Sequence, residues 1–449
     1  MTARRKRRTV GSKPFLTAVA ADAAGNIFDI EGYAAVGSDG IRSVPLTPTD
    51  ALALPFGSEL MMLPERAPMV YNIAARRIEL LEENPFAPGE PLFAVAAFNS
   101  PGYAVTHTSA FVERPGARQL PLFSYGAVGW RGNGFKSALI RVDAEPRQDL
   151  RRMKIEAVTA GIAVMRKQLP DNRLRAHLER CAVTFGCPAG KNFFLGRYEA
   201  PLPTSRICNA QCLGCISLQQ GAEICSSQNR IDFTPTPDEI AGVALAHIGR
   251  VKQAVVSFGQ GCEGDPLLAA DASAPAIALI RAQTAAGTIN MNTNGSLPHV
   301  MARLFDAGLD SIRVSLNSLR PEAYAAYFRP RGYAFADVLD TVALALSRKK
   351  FVAINYLHCP GVTDTPQEMA ALEDFLRNHR VHMIQWRNLN YDPLRYVAAM
   401  QAAAPADPPV GMRRCLSRIH KLFPHLIYGY FNPPKEKWAP AERMICQRS

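Results

Sequence analysis

The chain has 449 residues, a formal net charge of +12, and 48% hydrophobic against 20% charged residues. This length exceeds the ~100–200 residues usual for one domain, and the balance is that of a folded globular protein, which excludes disorder throughout. No stretch approaches the ~18–20 uninterrupted apolar residues of a membrane span. The N-terminus is basic with no apolar run behind it, so no membrane partner and a cytoplasmic location are expected. Ten cysteines without regular pairing argue for reduced thiols, some of them metal ligands, and against a disulfide scaffold.

Residues 1–13 carry Arg4, Arg5, Lys6, Arg7 and Arg8 and read as a disordered, solvated basic tail, with a nucleic-acid arm as the alternative. Residues 14–147 read as a β-rich domain. Alternation is visible in "PLFAVAAF" (91–98), and "LPLFSYGAVGW" and "FKSALIRVD" flank Arg131-Gly132-Asn133-Gly134, a local hairpin signal. Residues 148–199 read as a helical connector, with helices expected at about 148–168 and 172–185.

From 200 to 395 apolar strands alternate with helical segments. Strands are expected at about 202–207 and at 254–258, 288–293, 311–317, 351–358 and 382–388, with helices near 265–286, 298–307, 320–328, 334–349 and 366–379. Such alternation implies a parallel sheet with chemistry at the carboxyl ends of its strands. The segment 396–449, rich in proline and carrying Cys415 and Cys446, reads as a loop-rich extension.

Between the first expected strand and the next stands "RICNAQCLGCISLQ", with Cys208, Cys212 and Cys215 in the spacing C-x3-C-x2-C. A closed zinc site takes four ligands, usually from two close pairs; here a local fourth is missing. A four-iron cluster held by three thiolates keeps one iron open to a ligand. Three plain cysteines and a zinc site are the other readings of the same residues.

This motif, after the first strand of six βα units, resembles the signature of the radical S-adenosylmethionine (SAM) superfamily. The barrel is similar to that of the molybdenum-cofactor cyclase branch, over about residues 200–395. The resemblance implies a partial (β/α)6 barrel preceded by the β-rich N-terminal domain, with Cys208, Cys212 and Cys215 as ligands of a [4Fe–4S] cluster. It further implies that SAM binds the open iron and is cleaved reductively to a 5′-deoxyadenosyl radical that abstracts hydrogen from a substrate. "SFGQGCEGDPLL" (257–268) stands where the family has a Gly-Gly-Glu-Pro type motif, which marks Gly259, Gly261, Glu263, Gly264, Asp265 and Pro266 for SAM binding and leaves open whether Glu263 or Asp265 faces the ligand. "NMNTNG" and "RVSLNSLRPEAY" resemble the third and fourth strands of the same branch. They mark Asn292, Asn294, Ser315 and Asn317 for SAM, with Asn290 and Arg313 on the same faces; Arg387 and Asn388 follow on the sixth strand. No catalytic side chain is marked.

An external electron donor of the flavodoxin or ferredoxin type is implied. The substrate is open between a peptide, protein or small metabolite and, through the basic balance, an RNA. A non-catalytic iron–sulfur or zinc protein is the reading from another class. The remaining cysteines lack the tight C-terminal grouping of an auxiliary cluster; Cys181 and Cys187, joined in space by Cys225 or Cys415, are the candidates for one.

Overall fold

The computed structural model describes residues 14–219, 221 and 224–438. The basic tail at 1–13 and Cys446 lie outside the described residues. The chain divides into two compact units. One gathers the chain up to Asn99 with Val105–Ala117 and Tyr125–Ile140; the other gathers Ser100–Ala104, Arg118–Ser124 and the chain from Arg141 onward. Thus two short internal pieces of 14–147, and its last residues 141–147, group with the second unit.

The first unit is built on a 12-stranded sheet whose main path runs Phe111–Glu113, Arg66–Asn72, Ile27–Ser38, Thr17–Ala21, Val128–Arg131, Gly134–Ser137 and Leu52–Ala53. The central strand Thr17–Ala21 is buried along its whole length. Ala18 and Ala20 pack with Ile30, Val70 and Leu92 on one face, and Val19 and Ala21 with Val95, Ala97 and Val128 on the other. The expected hairpin is present: Trp130 pairs with Phe135 and Arg131 with Gly134. Its two-residue turn has Gly132 at φ +66° in the first position, where only a glycine is unstrained.

The second unit begins with three helices, α1 (Ile155–Gln168), α2 (Arg173–Val183) and α3 (Pro188–Leu195). A parallel sheet follows, with strands β1 (Glu199–Pro201), β2 (Val255–Phe258), β3 (Thr288–Thr293), β4 (Ser311–Leu316), β5 (Phe351–His358), β6 (Met383–Asn388) and β7 (Ile427–Gly429) paired strictly in that order. Helix α4 (Pro237–Ile248) links β1 to β2, α5 (Ala270–Gln283) links β2 to β3, and α6 (Pro298–Ala307) links β3 to β4. Helices α7 (Pro321–Phe328) and α8 (Phe335–Ser347) link β4 to β5, and α9 (Pro366–Asn378) links β5 to β6. Strands β2 and β3 are buried at every residue. That is the condition of a parallel strand covered on both faces; in β3 it places the amides of Asn290 and Asn292 inside the barrel.

The structure departs from the sequence reading in three places. The first strand spans 199–201, earlier than the expected 202–207, because only Leu202 continues the ladder, to the Ser257 carbonyl. The N–H groups of Thr204 and Ser205 turn instead to the Glu263 carboxylate. Helix α4 was not anticipated, although Thr236 and Glu239 form a capping box around Pro237. The extension 396–449 is more regular than loop-rich: it holds most of α10 (Pro393–Ala403), then α11 (Met412–Leu422), and β7, which adds a seventh strand to the expected six. Helix α11 buries Met412, Cys415, Leu416 and Ile419, a one-face helical spacing.

Candidate active site

The three-cysteine loop leaves β1 and is anchored on both sides by backbone. Gln211 and Leu213 donate to the carbonyls of Phe328 and Tyr327 at the end of α7, and Arg331 donates to the Asn209 carbonyl. Asn209 also binds the tip of β3, accepting from Asn294 Nδ2 at 2.8 Å and donating to Ser296 Oγ at 2.9 Å. Cys208, Cys212 and Cys215 are half-buried. Burial, with Asp265 nearby, pushes the Cys208 thiol up to about 12, and burial with the neighbouring thiols raises Cys212 well above the ordinary range. Without a bound cation the Cys208 and Cys212 thiols stay protonated at neutral pH; a metal supplies the charge that makes them thiolates. The Arg230 guanidinium, 3.6 Å from Cys215 Sγ, is the cation this chain itself offers there.

The glycine-rich turn after β2 lies against this loop. Gly264 N–H donates to Ser205 O at 2.7 Å and Asp265 N–H to Ile207 O at 3.0 Å, so the two loops run as a short ladder. A Cβ at Gly264 would stand 1.9 Å from the Ile207 carbonyl oxygen, which makes glycine obligatory for the approach. Gly259 has φ +76° and comes as close to the Asn292 carbonyl.

Glu263 is the knot of this turn. One carboxylate oxygen accepts from the N–H groups of Gly259 and Gln260, each at 2.7 Å, and the other from those of Thr204 and Ser205 at 2.7 and 2.9 Å. Burial pushes the carboxyl up to about 7 against these donors. Its lone pairs are occupied by backbone, so Glu263 shapes the loop. Asp265 Oδ1 accepts from Thr293 Oγ1 and Leu267 N, while Oδ2 accepts from Asn294 N at 2.7 Å and keeps a lone pair. Burial raises this carboxyl too.

Loop, turn and strand ends line a cavity of about 290 Å³. It brings together Cys208, Cys212, Cys215, Gly259, Gly261, Glu263, Gly264, Asp265, Asn292, Asn294 and Ser315 of the residues marked from sequence, with Arg313, Arg387 and Asn388. Two marked residues do not reach it. Asn317 stands just past the end of β4, and its amide donates to Ala323 O and Tyr396 Oη, which turns it into the packing under α7 and α10. Pro266 is the buried first residue of a short 3-10 turn capped by Asp265. Asn290 lies deeper in the barrel, bonded to Ser257 Oγ, Asn292 Oδ1 and Ser311 Oγ.

Asn355, on β5, was not marked. Its Nδ2 donates to Ser315 Oγ at 3.3 Å, and its Oδ1 is buried without a hydrogen-bond partner, as is Arg313 Nε. Unpartnered buried polar atoms in a cavity wall point to a polar ligand. Arg313 donates to Gln385 Oε1, and burial beside Arg387 brings its guanidinium down to about 9, still charged at neutral pH. Arg387 lies over the Tyr430 ring at 3.9 Å. Period two would have found Asn355, because Arg313 and Ser315 pair in register with Ala353 and Asn355 across the ladder.

Residues 202–374 match the family model described as the Radical SAM superfamily. This segment of the chain is similar to that superfamily. Its members are enzymes that use a [4Fe–4S] cluster and SAM. The FeMo cofactor biosynthesis protein NifB of Klebsiella pneumoniae is 27% identical over 180 residues, covering 36% of this chain and 38% of that protein. Among solved structures, a radical SAM methyltransferase from Sphaerobacter thermophilus is similar at 16% identity and a TM-score of 0.36, over 50% of this chain and 63% of that one. Coproporphyrinogen III oxidase (HemN) from Escherichia coli is similar at 14% identity and a TM-score of 0.35, over 51% and 52%. The chain spans less than two thirds of the length of each. Among the described residues no helix is long and apolar enough to cross a membrane.

Proposed function

We propose that this chain is a radical SAM enzyme that holds a [4Fe–4S] cluster on Cys208, Cys212 and Cys215 and SAM in the adjoining cavity, and acts in the cytoplasm on a substrate bearing an anionic group. The observation that carries the reading is the convergence of the three thiols with a cavity wall that has unpartnered polar atoms. When bound, the pair of cofactors supplies, after one electron from an external flavodoxin- or ferredoxin-type donor, a 5′-deoxyadenosyl radical that takes a hydrogen atom from a substrate carbon.

The residues of the chain account for binding and orientation. The Gly259–Asp265 turn, held rigid by Glu263, presents backbone to an amino-acid moiety. Asp265 Oδ2, with its spare lone pair, suits an ammonium, which favours Asp265 over Glu263 for that contact. Asn355 Oδ1 and Ser315 suit a ribose. Neither Arg313 nor Arg387 has a carboxylate within ion-pair distance among the described residues. Two cations at one cavity wall favour an anion between them, one serving the SAM carboxylate and the other the substrate. This supports a small acidic metabolite or an acidic peptide over RNA, whose recognition needs a broad basic surface.

The test is electron paramagnetic resonance of the reconstituted, reduced chain. A four-iron signal that changes shape on adding SAM is expected, and Cys212→Ala should lose it with its iron. A Cys212→Ala chain that keeps four irons and the SAM-dependent change would overturn the assignment.

A further inference from the structure

A second group of metal-type side chains lies outside the cavity. His177 and Cys181 stand one turn apart on one face of α2, and Cys262 comes from the glycine-rich turn after β2. All three are buried, at 4%, 2% and 5% exposure. Their ligand atoms lie within 4.8 Å of one another, and among the described residues they form the one such group of three. His177 Nε2 is 3.4 Å from Cys262 Sγ and 3.4 Å from Cys181 Sγ.

We propose that His177, Cys181 and Cys262 bind a single zinc-type divalent cation that ties the glycine-rich turn to α2. The proposal stands apart from the chemistry of Cys208, Cys212 and Cys215.

Three observations carry it. First, the ring nitrogen faces two sulfurs at equal distance, and the two thiols also face each other within hydrogen-bond reach, so three buried ligand atoms converge on one point that a cation can occupy. Second, the spacing fits one ion. A tetrahedral centre with bonds of about 2.05 Å to nitrogen and about 2.3 Å to sulfur has an N···S edge of about 3.6 Å, close to the observed edges. The thiolates of a four-iron cluster each bind a different iron and stand farther apart, so a mononuclear site is favoured. Third, the donor set of two thiolates and one imidazole is of the zinc type, with water taking the fourth position in place of the fourth protein ligand of a closed site. Binding releases the two thiol protons to solvent, with no change in oxidation state.

The imidazole must then carry its proton on Nδ1. Arg180 Nη2 lies 3.4 Å from that nitrogen. Arg180 is exposed, so its side chain is free to turn into solvent when the ion binds.

The consequence is positional. Cys262 precedes Glu263, whose carboxylate gathers Gly259, Gln260, Thr204 and Ser205, and Cys262 O accepts from Ile231 N at 2.7 Å. An ion there would clamp to α2 the turn that lines the cavity.

The experiment uses the full chain with Cys208, Cys212 and Cys215 all changed to Ala, so that iron is absent, purified in zinc-containing buffer and dialysed. Elemental analysis should give about one zinc per chain, lost in His177→Ala and in Cys181→Ser and kept in Cys225→Ser, which alters an exposed thiol. Should a variant fold poorly, the wild-type chain decides. Native alkylation read by mass spectrometry should spare Cys181 and Cys262 until a chelator is added, and cobalt(II) in place of zinc should show thiolate charge-transfer absorption. Absence of bound zinc, an unchanged zinc content in His177→Ala, a Cys181–Cys262 disulfide in the freshly isolated chain, or alkylation indifferent to chelator would each overturn the proposal.

Discussion

Gly264→Ala is the substitution whose cost follows most directly from the geometry. The added methyl would sit 1.9 Å from Ile207 O and 2.4 Å from Ile207 C, both backbone atoms with no rotamer to yield. Relieving the clash to an ordinary contact of roughly 3 Å moves the two loops apart by about 1 Å. The ladder bonds of 2.7 and 3.0 Å then lengthen past the range of a hydrogen bond. Leaving their buried groups unpaired costs about 1–3 kcal/mol each, so a loss of about 4 kcal/mol is expected. Because Cys208 follows Ile207, the same displacement moves the first cysteine and should reduce iron uptake. Urea denaturation of the metal-free chain gives the stability change, and iron and sulfide counts after reconstitution give the second effect. A midpoint within about 0.5 kcal/mol of wild type, together with full iron, would refute the reasoning.

Glu263→Gln turns one oxygen into an amide NH2 that faces two backbone N–H donors, whichever way the amide is set. Two bonds to a charged acceptor at about 1.5–3 kcal/mol each give an expected loss of about 3–6 kcal/mol, read by urea midpoint at pH 8, above the carboxyl's shifted value of about 7. An unchanged midpoint with SAM affinity alone abolished would mean that Glu263 faces the ligand after all. His247, fully buried beneath the Tyr198 carbonyl, is held down to about 4 by desolvation. Below its ordinary value of about 6.5 the unfolded chain takes up a proton that the folded chain refuses, so stability falls as the pH drops from about 6.5 to 4, by up to about 3 kcal/mol. His247→Gln should flatten that part of the profile; an unaltered slope would assign the acid loss to other groups.

What the sequence made legible follows from physics that is local to it. The parallel strands were readable because short runs rich in β-branched and aromatic residues alternate with helix-length segments, and the cysteine loop because three ligands of one centre lie within one short segment. Asn317 was misplaced for a reason of the same kind: period two was carried past the end of β4, where the backbone turns and the rule lapses. The pairing of Glu263 with backbone from two loops, and the meeting of His177 and Cys181 with Cys262, depend on contacts between segments far apart in the chain, which no local pattern encodes. Strand β7 is three residues long between a helix and a proline-bearing tail, too short for alternation to show.

The most direct measurement of the central claim is the formation of 5′-deoxyadenosine. The chain is reconstituted anaerobically with iron and sulfide, reduced with dithionite, given SAM, and resolved by chromatography. Slow formation of 5′-deoxyadenosine that disappears when any one of Cys208, Cys212 and Cys215 is replaced by Ala is the predicted result. A chain that carries an intact four-iron cluster and binds SAM yet forms none, with or without small acidic candidate substrates, would contradict it.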